Sequence, residues 1–209
     1  SGEKSMESLE AAMFSKHDPA VVPVLKKARV GIAGAGGLGS NAAVFLARAG
    51  VGTLVLADYD VVEPSNLNRQ HFFVDQIGMP KVEALRDNLL RINPYSSYEI
   101  HHLKLHKENI PAIYENVEML VEAFDTVEMK LLLIETWVRR FPEKPLIVGS
   151  GIAGYGGNND CRTERIFGRV YVCGDNTSDA VIIPPIAPKV ALVAALQANQ
   201  ALELLLEKK

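Results

Sequence analysis

Cysteine is scarce in this 209-residue sequence: Cys161 and Cys173 are the only two. They are too far apart for a CxxC pair and too few for a tetrahedral thiolate site, so no structural zinc is expected from this chain alone. No apolar run is long enough and free enough of charge to span a bilayer, and Ser1-Gly2-Glu3-Lys4 lacks the apolar core of a secretion signal. A soluble, cytoplasmic protein is the expectation. Basic excess is also missing: 22 Lys and Arg against 25 Asp and Glu give a net charge of -3, with the cations dispersed, which argues against a nucleic-acid footprint. Internal repeats and low-complexity tracts are lacking too. With 48% hydrophobic residues, the composition suits one compact α/β domain whose core needs no staples.

What is present centres on Gly34-Ala35-Gly36-Gly37-Leu38-Gly39, directly after the apolar run Arg29-Val30-Gly31-Ile32-Ala33. A strand that breaks into glycines and re-enters a helix is built to hold a phosphate. The helix's unpaired N–H groups and positive dipole end face the anion, and glycine lets the backbone come close. Ser40 to Ala49 then places Ala42, Ala43, Leu46 and Ala47 at helical spacing, ended by Gly50 and Gly52, and Thr53 to Ala57 reads as a second strand. Asp58-Tyr59-Asp60, Asn66-Leu67-Asn68-Arg69-Gln70 and Pro80-Lys81 follow. Val61 to Met79 has turn residues without periodicity and reads as a functional loop.

The rest alternates. Two short helices, Met6 to Phe14 and Ala20 to Lys27, form an N-terminal arm over residues 1–28. After Pro80 comes a helix with Val82, Leu85, Leu89 and Ile92 on one face, then a strand from Tyr98 to Leu105 and a short helix from Glu108 to Asn116. Met119 to Ala123 is a strand ending at Phe124-Asp125, Glu128 to Phe141 a helix, and Leu146 to Val148 a buried strand. Gly149 to Asn159 reads as flexible, Phe167 to Cys173 as a strand, Gly174 to Pro188 as an irregular loop, and Lys189 to Leu206 as a closing helix. This order implies an α/β, doubly wound, mostly parallel Rossmann-like sheet with a C-terminal strand-loop-helix extension, its ligands beyond the strands' carboxyl ends.

In order and spacing, GAGGLGS, LADYD, EPSNLNRQ, GMPKVEAL, RINP and AFD resemble the ThiF/MoeB/HesA superfamily of ubiquitin-activating-enzyme-like adenylyltransferases. SGIAGYGGNN and VYVCGD are most similar to the compact second family of ThiF proteins, assigned to thiamine biosynthesis. The resemblance implies an adenylation domain over residues 29–209 that uses ATP and Mg²⁺ to adenylate the C-terminal glycine of a ThiS-like sulfur carrier. It also implies a homodimer and a separate sulfur donor. Gly34, Gly36, Gly37 and Gly39 would approach the nucleotide, Asp58 the ribose hydroxyls, and Asn66, Arg69 and Lys81 the phosphates, with Gln70 a weaker contact. Arg69, Lys81 and Asp125 are the implied catalytic residues, Asp125 through Mg²⁺. No arginine precedes Arg29, so the superfamily arginine donated across a dimer has no match.

Blander readings stand beside these. Asp125 suits a helix cap, Asp60 likewise, and the glycine loop a plain strand-to-helix turn. His101, His102 and His106 read as a solvated strand and its exit. Cys173 precedes the irregular loop where relatives carry a covalent-capture cysteine, yet a cysteine ending an apolar strand reads first as core. Other expectations left open are a molybdopterin-type carrier or a tRNA-linked carboxylate as acceptor, and an NAD-dependent oxidoreductase with Asp58 on the ribose.

Overall fold

In the computed structural model, residues 9–207 are described, and the start of the Met6 helix lies outside them. Residues 9–13 are helical, and α1 (Val22–Lys27) begins two residues later than the sequence suggests, with proline in its first turn. Then come β1 (Arg29–Ala33), α2 (Gly37–Ala49), β2 (Thr53–Asp58), α3 (Lys81–Ile92), β3 (Ser97–His102), α4 (Ile110–Tyr114), β4 (Met119–Glu122) and α5 (Val127–Arg140). The chain closes with β5 (Leu146–Gly149), β6 (Arg162–Phe167), β7 (Val170–Gly174) and α6 (Ala187–Leu206).

The strands form one seven-stranded sheet in the order β3-β2-β1-β4-β5-β7-β6, parallel except for the β6–β7 pair. The order reverses between β1 and β4, since the chain runs outward from β1 through β2 to β3 and then returns to place β4 on the other side of β1; such a switch point leaves a crevice at the carboxyl ends. Helices cover both faces. One apolar layer gathers Leu38, Leu46, Leu85, Val190 and Val193 from α2, α3 and α6, and the other gathers Ile110, Tyr114, Leu133 and Trp137 from α4 and α5. Trp137 is 1% exposed and packs in a tilted arrangement on Phe141, ring centroids 4.7 Å apart, a burial contributing roughly 3 kcal/mol. Tyr114 lies across β1 where Gly31 has no side chain, and its hydroxyl donates to the Ile32 carbonyl at 2.9 Å.

The sequence reading departs most at the C-terminal end. In place of the expected single strand from Phe167 to Cys173 there is a hairpin, whose first strand, β6, covers residues 162–166, to which the sequence reading assigns no element, together with Phe167. Its pattern is exposed almost throughout, as befits an edge strand, so neither apolar alternation nor a buried run announces it. β3 ends at His102 rather than Leu105, because the backbone turns there and Leu103 N–H returns to the Asp58 carbonyl at 3.2 Å.

Candidate functional site

Beyond the carboxyl ends of β1, β2, β4 and β5 lies a cavity of about 520 Å³. The glycine loop forms its floor. Gly34 adopts φ +100°, and a Cβ there would sit 2.8 Å from the Ala123 carbonyl oxygen. Gly36 precedes α2 with no side-chain cap, so the first N–H groups of that helix stay available to an anion. Gly36 and Gly37 line the cavity. Gly39 does not: a Cβ on it would overlap the Gly34 carbonyl, so its bareness serves the close passage of helix past strand end.

Asp58 ends β2 with both carboxylate oxygens engaged. Oδ2 accepts from the Ala35 amide at 2.7 Å, bracing the glycine loop, and Oδ1 accepts from the Asp60 amide at 2.7 Å. Each oxygen keeps lone-pair capacity for a hydroxyl donor. Burial raises the Asp58 carboxyl above its usual range, opposed by those two amides and by the charge of Lys81.

Lys81 opens α3, where its N–H donates to the Asp60 carbonyl at 2.9 Å. The residue is 6% exposed; its ammonium lies 3.9 Å from the solvent-facing Asp60 carboxylate, its charge also acts on Asp58, and it makes no side-chain hydrogen bond among the described residues. A lysine at a helix N-terminus opposes the dipole, and a desolvated ammonium needs close anionic oxygens. Both terms are relieved by an anion in the cavity.

Arg69 reaches the cavity from the loop after β2, its Nη1 donating to the Ser65 carbonyl at 3.1 Å and to Asn68 Oδ1 at 2.8 Å. Gln70 is 8% exposed beside Gly36, and its Oε1 is buried without a hydrogen bond among the described residues. Asp125 stands on the rim, exposed, and the cap of α5 is Thr126, whose Oγ1 accepts from Met129 N–H at 3.3 Å. The capping alternative for Asp125 is therefore corrected, and its carboxylate takes part in no described hydrogen bond.

Besides Gly39, two expected site residues stand apart. Asn66 is 8% exposed and off the cavity surface; its Oδ1 accepts from the Glu63 amide at 2.8 Å and shapes the turn that carries Arg69. Cys173 is fully buried on β7, its Sγ 3.3 Å from Thr163 Oγ1, and burial pushes its thiol up to about 11. A thiol so held stays protonated at neutral pH and is out of reach of a macromolecule, which corrects the covalent-capture reading.

Sequence reasoning missed the cavity's deeper supports. Asn41 Nδ2 donates to the Gly37 carbonyl at 2.7 Å and to the Arg69 carbonyl at 2.9 Å, tying the helix start to the arginine loop. Glu122, 0% exposed, accepts from Lys130 Nζ at 2.5 Å, and Lys130 also donates to the Gly149 carbonyl at 2.7 Å. Burial raises the Glu122 carboxyl, partly offset by Lys130 and by the Phe124 and Gly149 amides. A lone acid inside the apolar run Met119-Leu120-Val121-Glu122-Ala123 was the available signal.

An open parallel sheet with a glycine loop at its switch point and cationic side chains beyond it defines a nucleotide-binding α/β protein. The ThiF family model matches residues 10–209, and the chain belongs to that family. It is 34% identical over 190 residues to the molybdopterin-synthase adenylyltransferase of Salmonella typhimurium, covering 87% of this chain and 74% of that protein. It is 40% identical over 129 residues to the adenylyltransferase and sulfurtransferase MOCS3 of Anopheles gambiae, covering 61% of this chain but only 29% of that longer protein. The fold matches that of the E. coli tRNA N6-threonylcarbamoyladenosine dehydratase TcdA, crystallised with AMP, with TM-score 0.84 at 20% identity, covering 95% of this chain and 94% of that one.

Proposed function

We propose that this protein is an ATP-dependent adenylyltransferase that activates the C-terminal glycine carboxylate of a ThiS-like sulfur carrier. The observation that carries the reading is Lys81: a buried ammonium at a helix start, lining the same cavity as the glycine loop, with carboxylates near it but no side-chain hydrogen bond among the described residues. The relatives named adenylyltransferases support it. In the reaction, a carboxylate oxygen of the acceptor attacks the α-phosphorus of ATP, the α–β bridging P–O bond breaks, and pyrophosphate leaves with that electron pair. Two anions must meet, so the protein's task is to offset charge rather than to supply a nucleophile. Lys81 and Arg69 neutralise the α-phosphate and the departing pyrophosphate, the α2 N–H groups hold the phosphates, and Asp58 accepts from the ribose hydroxyls.

Mg²⁺ fits the residues present. Among the described residues no group of three or more His, Cys, Asp or Glu gathers to hold an ion alone. Mg²⁺ needs less, since one or two carboxylates plus phosphate oxygens complete its shell, and Asp125 offers a carboxylate on the cavity rim. Bound there, the ion would neutralise phosphate charge.

The name of the Salmonella relative, molybdopterin-synthase adenylyltransferase, favours a second acceptor, a molybdopterin-type carrier. Incubating the protein with ATP, Mg²⁺ and each carrier in turn, followed by intact mass, separates the two. The expected result is an adenylyl group added to the ThiS-like carrier. Adenylation of the molybdopterin carrier alone reassigns the acceptor, and absence of both products with no pyrophosphate release refutes the activity.

A further inference from the structure

The loops after β5 and β7 wall the cavity on the side away from Asp58, and a buried ion pair outside the cavity joins them. Lys189 lies in the first turn of α6 and is 7% exposed; its Nζ donates to Asp175 Oδ2 at 2.7 Å and to the Ala153 carbonyl at 2.9 Å. Asp175, also 7% exposed, uses its other oxygen to accept from the Thr177 amide at 2.9 Å and the Ser178 amide at 2.8 Å. Backbone bonds complete the join: Asp175 N–H to the Gly151 carbonyl and Asn176 N–H to the Ser150 carbonyl, each at 3.2 Å. Ser178 Oγ accepts from the Ala153 amide at 3.1 Å. Gly151, at φ +78°, could not carry a side chain, since a Cβ would strike the Asp175 carboxylate.

A cation at a helix N-terminus opposes the dipole, and burying it adds a desolvation cost. Propensity therefore does not explain Lys189, but the two loops it holds do. Neither Lys189 nor Asp175 lines the cavity, whereas Ser150, Gly151, Thr177 and Ser178, which they position, do. With Asp58 marking the ribose side over β2, the nucleoside lies over β1 and β2, and the acceptor must reach the α-phosphate over β4, β5 and β7.

We infer that Lys189 and Asp175 are positioning residues that clamp the loops at 150–154 and 175–181 into the wall receiving the acceptor carboxylate. The inference rests on the adenylation reading for the identity of the acceptor, but the clamp itself does not. Lys189→Met, Lys189→Arg and the native protein are compared by amide hydrogen exchange, by MgATP calorimetry, and by pyrophosphate exchange with the ThiS-like carrier. In Lys189→Met, amides at 150–154 and 175–178 should exchange about tenfold faster while those at 34–40 do not change. MgATP affinity should stay within about twofold, the carrier KM should rise about tenfold with kcat little altered, and Lys189→Arg should restore most of both. Unchanged protection in both loops, or loosening that spreads equally to 34–40, overturns the clamp. Failure of the native protein to bind MgATP overturns the adenylation reading instead, and the exchange comparison still decides the clamp.

Discussion

The two walls of the cavity are built by different means. On the β1–β2 side the backbone does the work: glycines admit close approach, a helix start presents N–H groups, and Asp58 braces the loop by accepting from the Ala35 and Asp60 amides. On the β5–β7 side, irregular loops are held by side chains, above all by Lys189, which bonds to Asp175 and to the Ala153 carbonyl. The first wall is held by the Asp58 bond to the Ala35 amide and by close packing of backbone on backbone. The second is rigid only while its ion pair persists.

The largest expected effect breaks the first wall. Gly39→Ala drives a Cβ into the Gly34 carbonyl and should cost about 3 kcal/mol or more of stability in urea unfolding, since backbone cannot yield as a flexible side chain does. Gly36→Ala is the control: its Cβ would lie an ordinary 3.6 Å from Gln70 Nε2, so the fold should survive. Equal losses in the two variants would refute the distinction between a packing glycine and a cavity glycine.

Next come the cations that face the reacting phosphates. Lys81→Met and Arg69→Ala should each lower pyrophosphate exchange by about 10²- to 10³-fold while circular dichroism shows the fold kept. Full exchange in either variant removes its assigned role.

The second wall should answer to acid. Burial opposes ionisation of Asp175, but hydrogen bonds from Lys189 and from the Ser178 and Thr177 amides outweigh it and hold the carboxyl below the usual aspartate range. A depressed carboxyl stabilises the fold above the unfolded-state value of 3.8, and that contribution is lost as pH falls below it toward the folded-state value. The stability gap between native protein and Asp175→Asn should therefore be full at pH 7 and shrink below about pH 4 in thermal melts. A gap that grows on acidification contradicts the pairing.

The smallest effect is expected at Cys173. Cys173→Ser puts a hydroxyl in a buried site beside Thr163 and should cost about 1 kcal/mol while leaving pyrophosphate exchange intact. A reductant-sensitive enzyme–carrier conjugate lost only in this variant would show covalent capture after all.

The same contrast explains what was legible in the sequence. The glycine loop, the helix after it and Asp58 are local features, each with a residue-level signature, and the structure brings them to one cavity with Arg69, Gln70 and Lys81. The place of Asn66 off the cavity surface was not legible, because its amide looks alike in sequence whether it faces a phosphate or folds back on Glu63. β6 was hidden because an exposed edge strand has no apolar pattern. Glu122 with Lys130, and Asp175 with Lys189, were invisible as pairs, since the path of the irregular segment between each strand end and the next helix brings the acid and the lysine together, and no spacing rule reads that path.

The central claim is that the cavity around Lys81 takes a nucleoside triphosphate. Calorimetry of the native protein with MgATP and with NAD, repeated on Lys81→Met, tests it most directly. The account predicts micromolar MgATP binding, much weaker NAD binding, and a loss of about 100-fold or more in MgATP affinity in the variant. Micromolar NAD binding with none for MgATP, or MgATP affinity indifferent to Lys81→Met, would contradict it.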